Sequence, residues 1–232
     1  MIADPCSLTP DCFRLSLVVA VLDSCEVVRR QLLHLNDVLT PECELILVDD
    51  GSQPSLQAVC DSVEKKYPFR LLFTQDDRPW TQPKARNLGA SVAQADRLLF
   101  FDIDHILTPS IIDACLRYRG DKLHWRRGPG ILDEQGAIVT DRAILKKHGL
   151  NGDLPDVHIN SFMIRRELFD LLGGYDERFC GQYGGDDVDF NDRYCRLVKF
   201  GIAKPEEVAG AGYVYPDPAL DGGRLFHALK RE

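Results

Sequence analysis

Residues 44–52 read Glu-Leu-Ile-Leu-Val-Asp-Asp-Gly-Ser. Four apolar residues, 45–48, run without a polar break and then stop at two acids and a glycine. An unbroken apolar run of this length suits a strand covered on both faces, whereas a half-exposed strand alternates. The stretch predicts an inner strand of a parallel sheet. Its end, Asp49-Asp50-Gly51-Ser52, then falls at the carboxyl edge, where open α/β sheets bind ligands.

The flanking sequence supports this reading. Residues 15–22 form a second apolar run, and 26–39 carry Val27, Leu32, Leu33, Leu35 and Val38 at helical spacing until Pro41 stops them. Downstream come a helix at 57–66, a strand at 69–74, a polar loop at 75–83 and a helix at 84–95. A strand at 97–101 ends at Asp102-Ile103-Asp104, and a helix at 109–118 has proline in its first turn. This alternation implies an α/β fold: a mostly parallel central sheet with helices on both faces. Beyond residue 120 the pattern loosens. Residues 122–127 and 137–140 read as a hairpin around 133–136, 158–164 as a strand, 166–172 as a short helix and 189–198 as a last helix. Residues 173–189, rich in glycine and acid, read as a site loop. No repeat or linker divides the chain, so a single domain over 1–232 is expected, with halves at about 14–108 and 109–232.

Bulk properties narrow the classes. The 232 residues carry a net charge of −8, which argues against a protein held to nucleic acid by overall charge. No apolar stretch approaches the roughly 20 residues that span a bilayer. Residues 1–10 lack the basic start and apolar block of a signal peptide. A cytoplasmic protein with no integral membrane segment is expected. None of the eight cysteines forms a C-x-x-C pair, which points to separate reduced thiols rather than a zinc or redox motif.

Three polar clusters fall at strand ends or in the late loop. An aspartate in 49–52 fits two roles: accepting from a nucleotide's base or ribose, or closing an Asx-type turn. Asp102 and Asp104, two apart on extended chain, suit Mg²⁺ or Mn²⁺, which bridge phosphates; a solvated strand end is the plain alternative. Asp186 and Asp187 fall where the last helix starts, so its dipole favours their ionised form, as a base needs. Arg117, Arg119, Lys122, Arg126 and Arg127, with Tyr118 and Trp125, form a basic aromatic stretch. It fits a phosphorylated acceptor or, more simply, an exposed strand.

In this order the clusters resemble GT-A glycosyltransferases. Leu-Ile-Leu-Val-Asp-Asp-Gly-Ser (45–52), Lys-Ala-Arg-Asn-Leu-Gly-Ala (84–90) and Leu-Leu-Phe-Phe-Asp-Ile-Asp (98–104) look like the family 2 enzymes. Residues 173–193 look like the late motif of the β-1,4-galactosyltransferase and chondroitin-polymerase group. The resemblance implies a nucleotide-binding first half and an acceptor and catalytic second half. Asp50, with Asp49 beside it, would contact the base or ribose, and Arg86 would lie near the base. Asn87 would be structural or ribose-facing. Asp102 would reach the ribose and the metal environment, and Asp104 would be the direct ligand of Mn²⁺ or Mg²⁺. Asp187 would be the base, Asp186 would hold the acceptor, and Gly185 joins the nucleotide-sugar-binding set. A late histidine often completes the metal site in this fold, which makes His227 the candidate; His105 is a lesser one. Trp80 fits either a stacking role or core packing. Val21-Leu22-Asp23 departs from the usual Pro-x-Tyr-Asn.

The implied activity is inverting, metal-dependent transfer of a hexose or N-acetylhexosamine from a UDP-sugar. The acceptor would be a glycan, a lipid-linked sugar, a protein or a modified DNA base. A nucleotidyltransferase is the alternative, although residues 19–24 lack the glycine of a phosphate loop. A sugar- or nucleotide-binding module without catalysis is the other.

Overall fold

The computed structural model describes residues 13–147 and 157–214. Its centre is an eight-stranded sheet built on β1 (Leu15–Val21), β2 (Cys43–Asp49), β3 (Phe69–Phe73) and β4 (Arg97–Phe100). The strand order is β3-β2-β1-β4, then β9 (Phe162–Arg165), β6 (Lys122–Pro129), β10 (Glu207–Val214) and β5 (His105–Ile106). The first four strands run parallel. β9 is antiparallel to both β4 and β6, β10 is parallel to β6, and β5 is antiparallel to β10.

Side chains alternate between two covered faces, which explains why β1 and β2 are mostly apolar and wholly buried but for Ala20. Leu15, Leu17, Val19, Leu45 and Leu47 pack in one layer, with Val28 and Leu32 of α1 (Cys25–Leu35), Cys60 of α2 (Gln57–Ser62) and Ile111 of α4 (Pro109–Arg117). Val18, Ile46 and Val48 pack in the other. They meet Ala85 and Ala90 of α3 (Gln82–Val92), Phe169 of α6 (Arg166–Leu172) and Phe190 of α7 (Asp186–Lys199). Helices thus cover both faces. Gly89 lets α3 lie close on the sheet, because a Cβ there would stand 2.4 Å from Val18 Cγ1. Arg166 closes the carboxyl end of α3 by donating to the carbonyls of Ala90, Ala93 and Ala95 at 2.7–3.1 Å.

The second half departs from expectation. Residues 122–127 do not form a hairpin arm; they sit inside the main sheet as β6. The hairpin is the short pair β7 (Ile131–Leu132) and β8 (Ile138–Val139). The basic stretch is divided accordingly: Arg117, Arg119 and Arg126 are exposed. Leu123 and Trp125 join the core, and Lys122 is fully buried. Its ammonium donates to Asn191 Oδ1 at 2.8 Å and pairs with Glu206 at 3.1 Å. β10 was not foreseen either, because Glu-Val-Ala-Gly-Ala-Gly-Tyr-Val is rich in small residues of low strand propensity. The last helix starts at Asp186, where the paired acids put it and ahead of the pattern at 189–198, on Gly185 at φ 93°. A fifth helix, α5, spans Arg142–Lys147. None of the six described cysteines is in a disulfide. No helix among the described residues is long and apolar enough to cross a membrane.

Candidate active site

The carboxyl ends of β1, β2 and β4 open onto a cavity of about 230 Å³. Ala20, Val21 and Leu22 line it from β1, Asp50 from the end of β2, and Asp102, Ile103 and Asp104 from the end of β4. Trp80 and Gln82 come from the loop and first turn before α3; Tyr183, Gly184, Asp186 and Asp187 come from the late loop and the start of α7. His158 and Asn160 complete the lining from the segment before β9. Their place follows from topology. β9 runs antiparallel to β4 with Phe162 opposite Phe100, so residues preceding β9 lie beside residues following β4.

Most of the acids read from sequence meet here. Asp50 accepts from Thr74 Oγ1 at 2.9 Å and from the Thr81 amide at 3.3 Å, with the Thr81 hydroxyl as a further partner. Its neighbour Asp49 does not line the cavity. Asp49 Oδ1 accepts from the amides of Gly51 and Ser52 at 3.2 and 2.8 Å, and Oδ2 from the Leu56 amide at 3.0 Å. That is the Asx-type turn, and it aims Asp50 inward. Gly185 stands behind the lining; its positive φ and the 2.9 Å from its added Cβ to Phe179 make it a backbone requirement of the loop. Asn87 is structural, gripping the Tyr175 amide and carbonyl at 2.8 and 2.9 Å. His227 lies outside the described residues.

Arg86, which the resemblance puts near the base, is tied to the acids around the cavity. It is 2% exposed and runs beneath the cavity floor. Its Nη2 donates to Asp102 Oδ1 at 2.7 Å and its Nη1 to Asn160 Oδ1 at 3.1 Å, and Nη1 stands 3.6 Å from Asp186 Oδ2. The Tyr175 ring lies 5.0 Å away. Burial alone would lower the guanidinium's pKa, but Tyr175, Asp102, Asp186 and Asp187 carry it above its ordinary value. Arg86 is a permanent cation. Burial pushes the Asp186 carboxyl up, against the pull of Arg86, and the Asp187 charge adds to the rise.

Among the described residues, Asp102, His105 and His158 form a group whose ligand atoms lie within 4.8 Å of one another. His105 is already engaged. Arg127 Nη1 donates to its Nε2 at 2.9 Å, so its proton sits on Nδ1 facing Ser161 Oγ at 2.6 Å. Burial, helped by His158, Arg127 and Arg86, keeps His105 neutral, with its pKa well below the ordinary value. His158 is also held low, chiefly by burial. Its Nδ1 is 3.5 Å from Asp102 Oδ2, and it shares the cavity with Asp104. Asp102 and the neutral His158 imidazole are donors that suit Mn²⁺; Asp104 lines the same cavity but is not a member of that group. Sequence reasoning missed His158 and Asn160, because the pairing of β9 with β4 that places them is not a local pattern.

Trp80 and Tyr183 meet edge to face at the cavity, with ring centroids 4.8 Å apart. The Gly181 amide donates to the Trp80 carbonyl at 2.7 Å, tying the two loops together.

Comparison with known proteins bears on the fold and the family. O-antigen biosynthesis protein RfbC of Myxococcus xanthus is 27% identical over an alignment of 177 residues that covers 66% of this chain and 14% of that protein. The chain thus spans about a seventh of that relative's length. The S. aureus TarS 1–349 structure in complex with UDP superposes with a TM-score of 0.61 at 15% identity, over 89% of this chain and 61% of that one. Mannosyltransferase PcManGT from Pyrobaculum calidifontis, in complex with GDP-Man and Mn²⁺, gives 0.57 at 14% identity, over 97% and 63%. The fold is that of the GT-A transferases. Residues 16–173 match the sequence profile of Glycosyl transferase family 2, more than half of the chain, and the chain belongs to that family.

Proposed function

We propose that the chain transfers a hexose or N-acetylhexosamine from a UDP-sugar to an acceptor hydroxyl, with inversion and with a divalent cation. The observation that carries this reading is the convergence of two carboxylate pairs, Asp102 with Asp104 and Asp186 with Asp187, on one cavity. The UDP complex of TarS and the GDP-Man and Mn²⁺ complex of the Pyrobaculum enzyme support it.

In this reading Asp50 takes the base or ribose, Asp102 the ribose, and Asp104 the diphosphate side. Asp102, Asp104 and His158 would hold Mn²⁺ or Mg²⁺. A cation bound there neutralises charge building on the leaving diphosphate. Asp186 holds the acceptor hydroxyl and Asp187 takes its proton. As the acceptor oxygen bonds to the anomeric carbon from the far face, the bond from that carbon to the diphosphate breaks, and the configuration inverts. Asp187 is suited to the role: it is partly exposed in the first turn of α7, where the helix dipole favours a carboxylate.

The test follows donor hydrolysis by NMR with water as acceptor, read before mutarotation. An α-linked donor should release the β-sugar. Asp187→Asn should lower turnover about 10²-fold or more, as for a lost general base, and leave UDP affinity unchanged. Release of the α-sugar would refute inversion. Loss of activity in Asp186→Asn alone would move the base to Asp186.

A further inference from the structure

We propose that Arg86 is a positioning residue that joins the donor side of the cavity to its acceptor side by holding Asp102 and Asp186 on one guanidinium. This rests on the reading of the site given above and goes beyond the place near the base that the sequence resemblance implied.

Four parts of the chain meet at Arg86. It belongs to α3, Asp102 follows β4, Asn160 precedes β9 and Asp186 opens α7. Its two terminal nitrogens divide the work: Nη2 takes Asp102 at 2.7 Å, while Nη1 takes Asn160 at 3.1 Å and faces Asp186 at 3.6 Å. Arg86, nearly fully buried, does not line the cavity, so substrate is not its partner. A buried cation needs compensating charge, and here the two carboxylates supply it. Asp186 Oδ2 is buried and makes no hydrogen bond, so the ion pair with Arg86 is its polar contact. A planar guanidinium fixes both carboxylates at one spacing and orientation, which a lysine ammonium does not do. Because Asp186 precedes Asp187 in the first turn of α7, the same contact sets where that turn stands relative to Asp102.

The consequence is coupling. When Asp102 engages a nucleotide, its hold on Arg86 changes, and Asp186 feels the change through the other nitrogen. In reverse, neutralising Asp186 leaves Arg86 to Asp102 and the neutral Asn160, draws the Asp102 carboxylate down and weakens nucleotide binding. An arginine that merely filled space would transmit neither effect.

The experiment is a double-mutant cycle read by calorimetry with UDP in the presence of Mn²⁺, on the full chain. Asp186→Asn should weaken UDP binding several-fold in the otherwise unchanged protein, within the range typical of groups sharing one partner. In an Arg86→Met background the same change should have no effect. Arg86→Lys gives a second background, in which the effect should shrink markedly; it serves if Arg86→Met does not fold, as judged by circular dichroism. Equal effects of Asp186→Asn in every background, or no effect in the unchanged protein, would overturn the proposal and leave the reading of the site intact. A wild-type protein that binds no UDP would sink both.

Discussion

At the scale of single residues, the site is a set of acids whose roles are sorted by their neighbours. Asp49 and Asp50 are adjacent, but Asp49 spends both oxygens on the turn while Asp50 lines the cavity. Asp186 is the costly member of the set. A carboxyl whose folded pKa stands above its ordinary value holds its proton more tightly in the native state. Its ionised form therefore costs stability, and the cost grows as pH rises from the ordinary value of 3.8 through the raised one. Asp186→Asn should accordingly melt above wild type at neutral pH, by about 2–4 °C for each kcal/mol recovered in a chain of this size. The difference should close as pH falls toward the ordinary aspartate value. A lower melting temperature at neutral pH would show that Arg86 compensates the buried charge fully. Asp50, Asp102, Asp104, Asp186 and Asp187 were legible in sequence because each ends an apolar strand or starts a helix. Arg86 was not: a motif shows that an arginine is present, but its depth beneath the floor depends on packing.

At the scale of elements, the first half follows from pattern and the second does not. β1 and β2 could be read from their apolar runs because both faces are covered, and α3 from its helical spacing. The close seating of α3 depends on Gly89. Gly89→Ala would push a methyl to within 2.4 Å of Val18 Cγ1 and should cost about 1–3 kcal/mol, as overpacking typically does. Val18→Ala in the same chain should recover part of that loss. Urea unfolding measures both, and a Gly89→Ala protein as stable as wild type would mean that the helix shifts freely. Residues 122–127 read as a hairpin arm from the turn at 133–136 and as an exposed strand from their charges; Arg126 is exposed, but the rest of β6 lies inside the sheet. Tertiary partners hold it there: Glu206 and Asn191 meet Lys122, and His105 meets Arg127. β10 had no strong strand signal, and it forms because β6 offers it an edge.

At the scale of the whole molecule, one sheet carries both halves of the site. β5, from the first half, pairs with β10 from the second, and β9 joins β4 to β6. That continuity places the segment before β9 next to the acids after β4, which brings His158 to Asp102. No reading of local pattern yields it, since the direction of β9 is a property of the sheet. Asp104 tests the whole arrangement, because it lies where the sheet's parallel core meets the cavity. The deciding measurement is nucleoside diphosphate release from a panel of UDP- and GDP-sugars, with Mn²⁺ and with chelator, in wild type and Asp104→Asn. Release should depend on the cation and fall by at least about 10²-fold in Asp104→Asn, the scale of losing a charge-stabilising group. Full release in the presence of chelator, or from Asp104→Asn, would contradict the account.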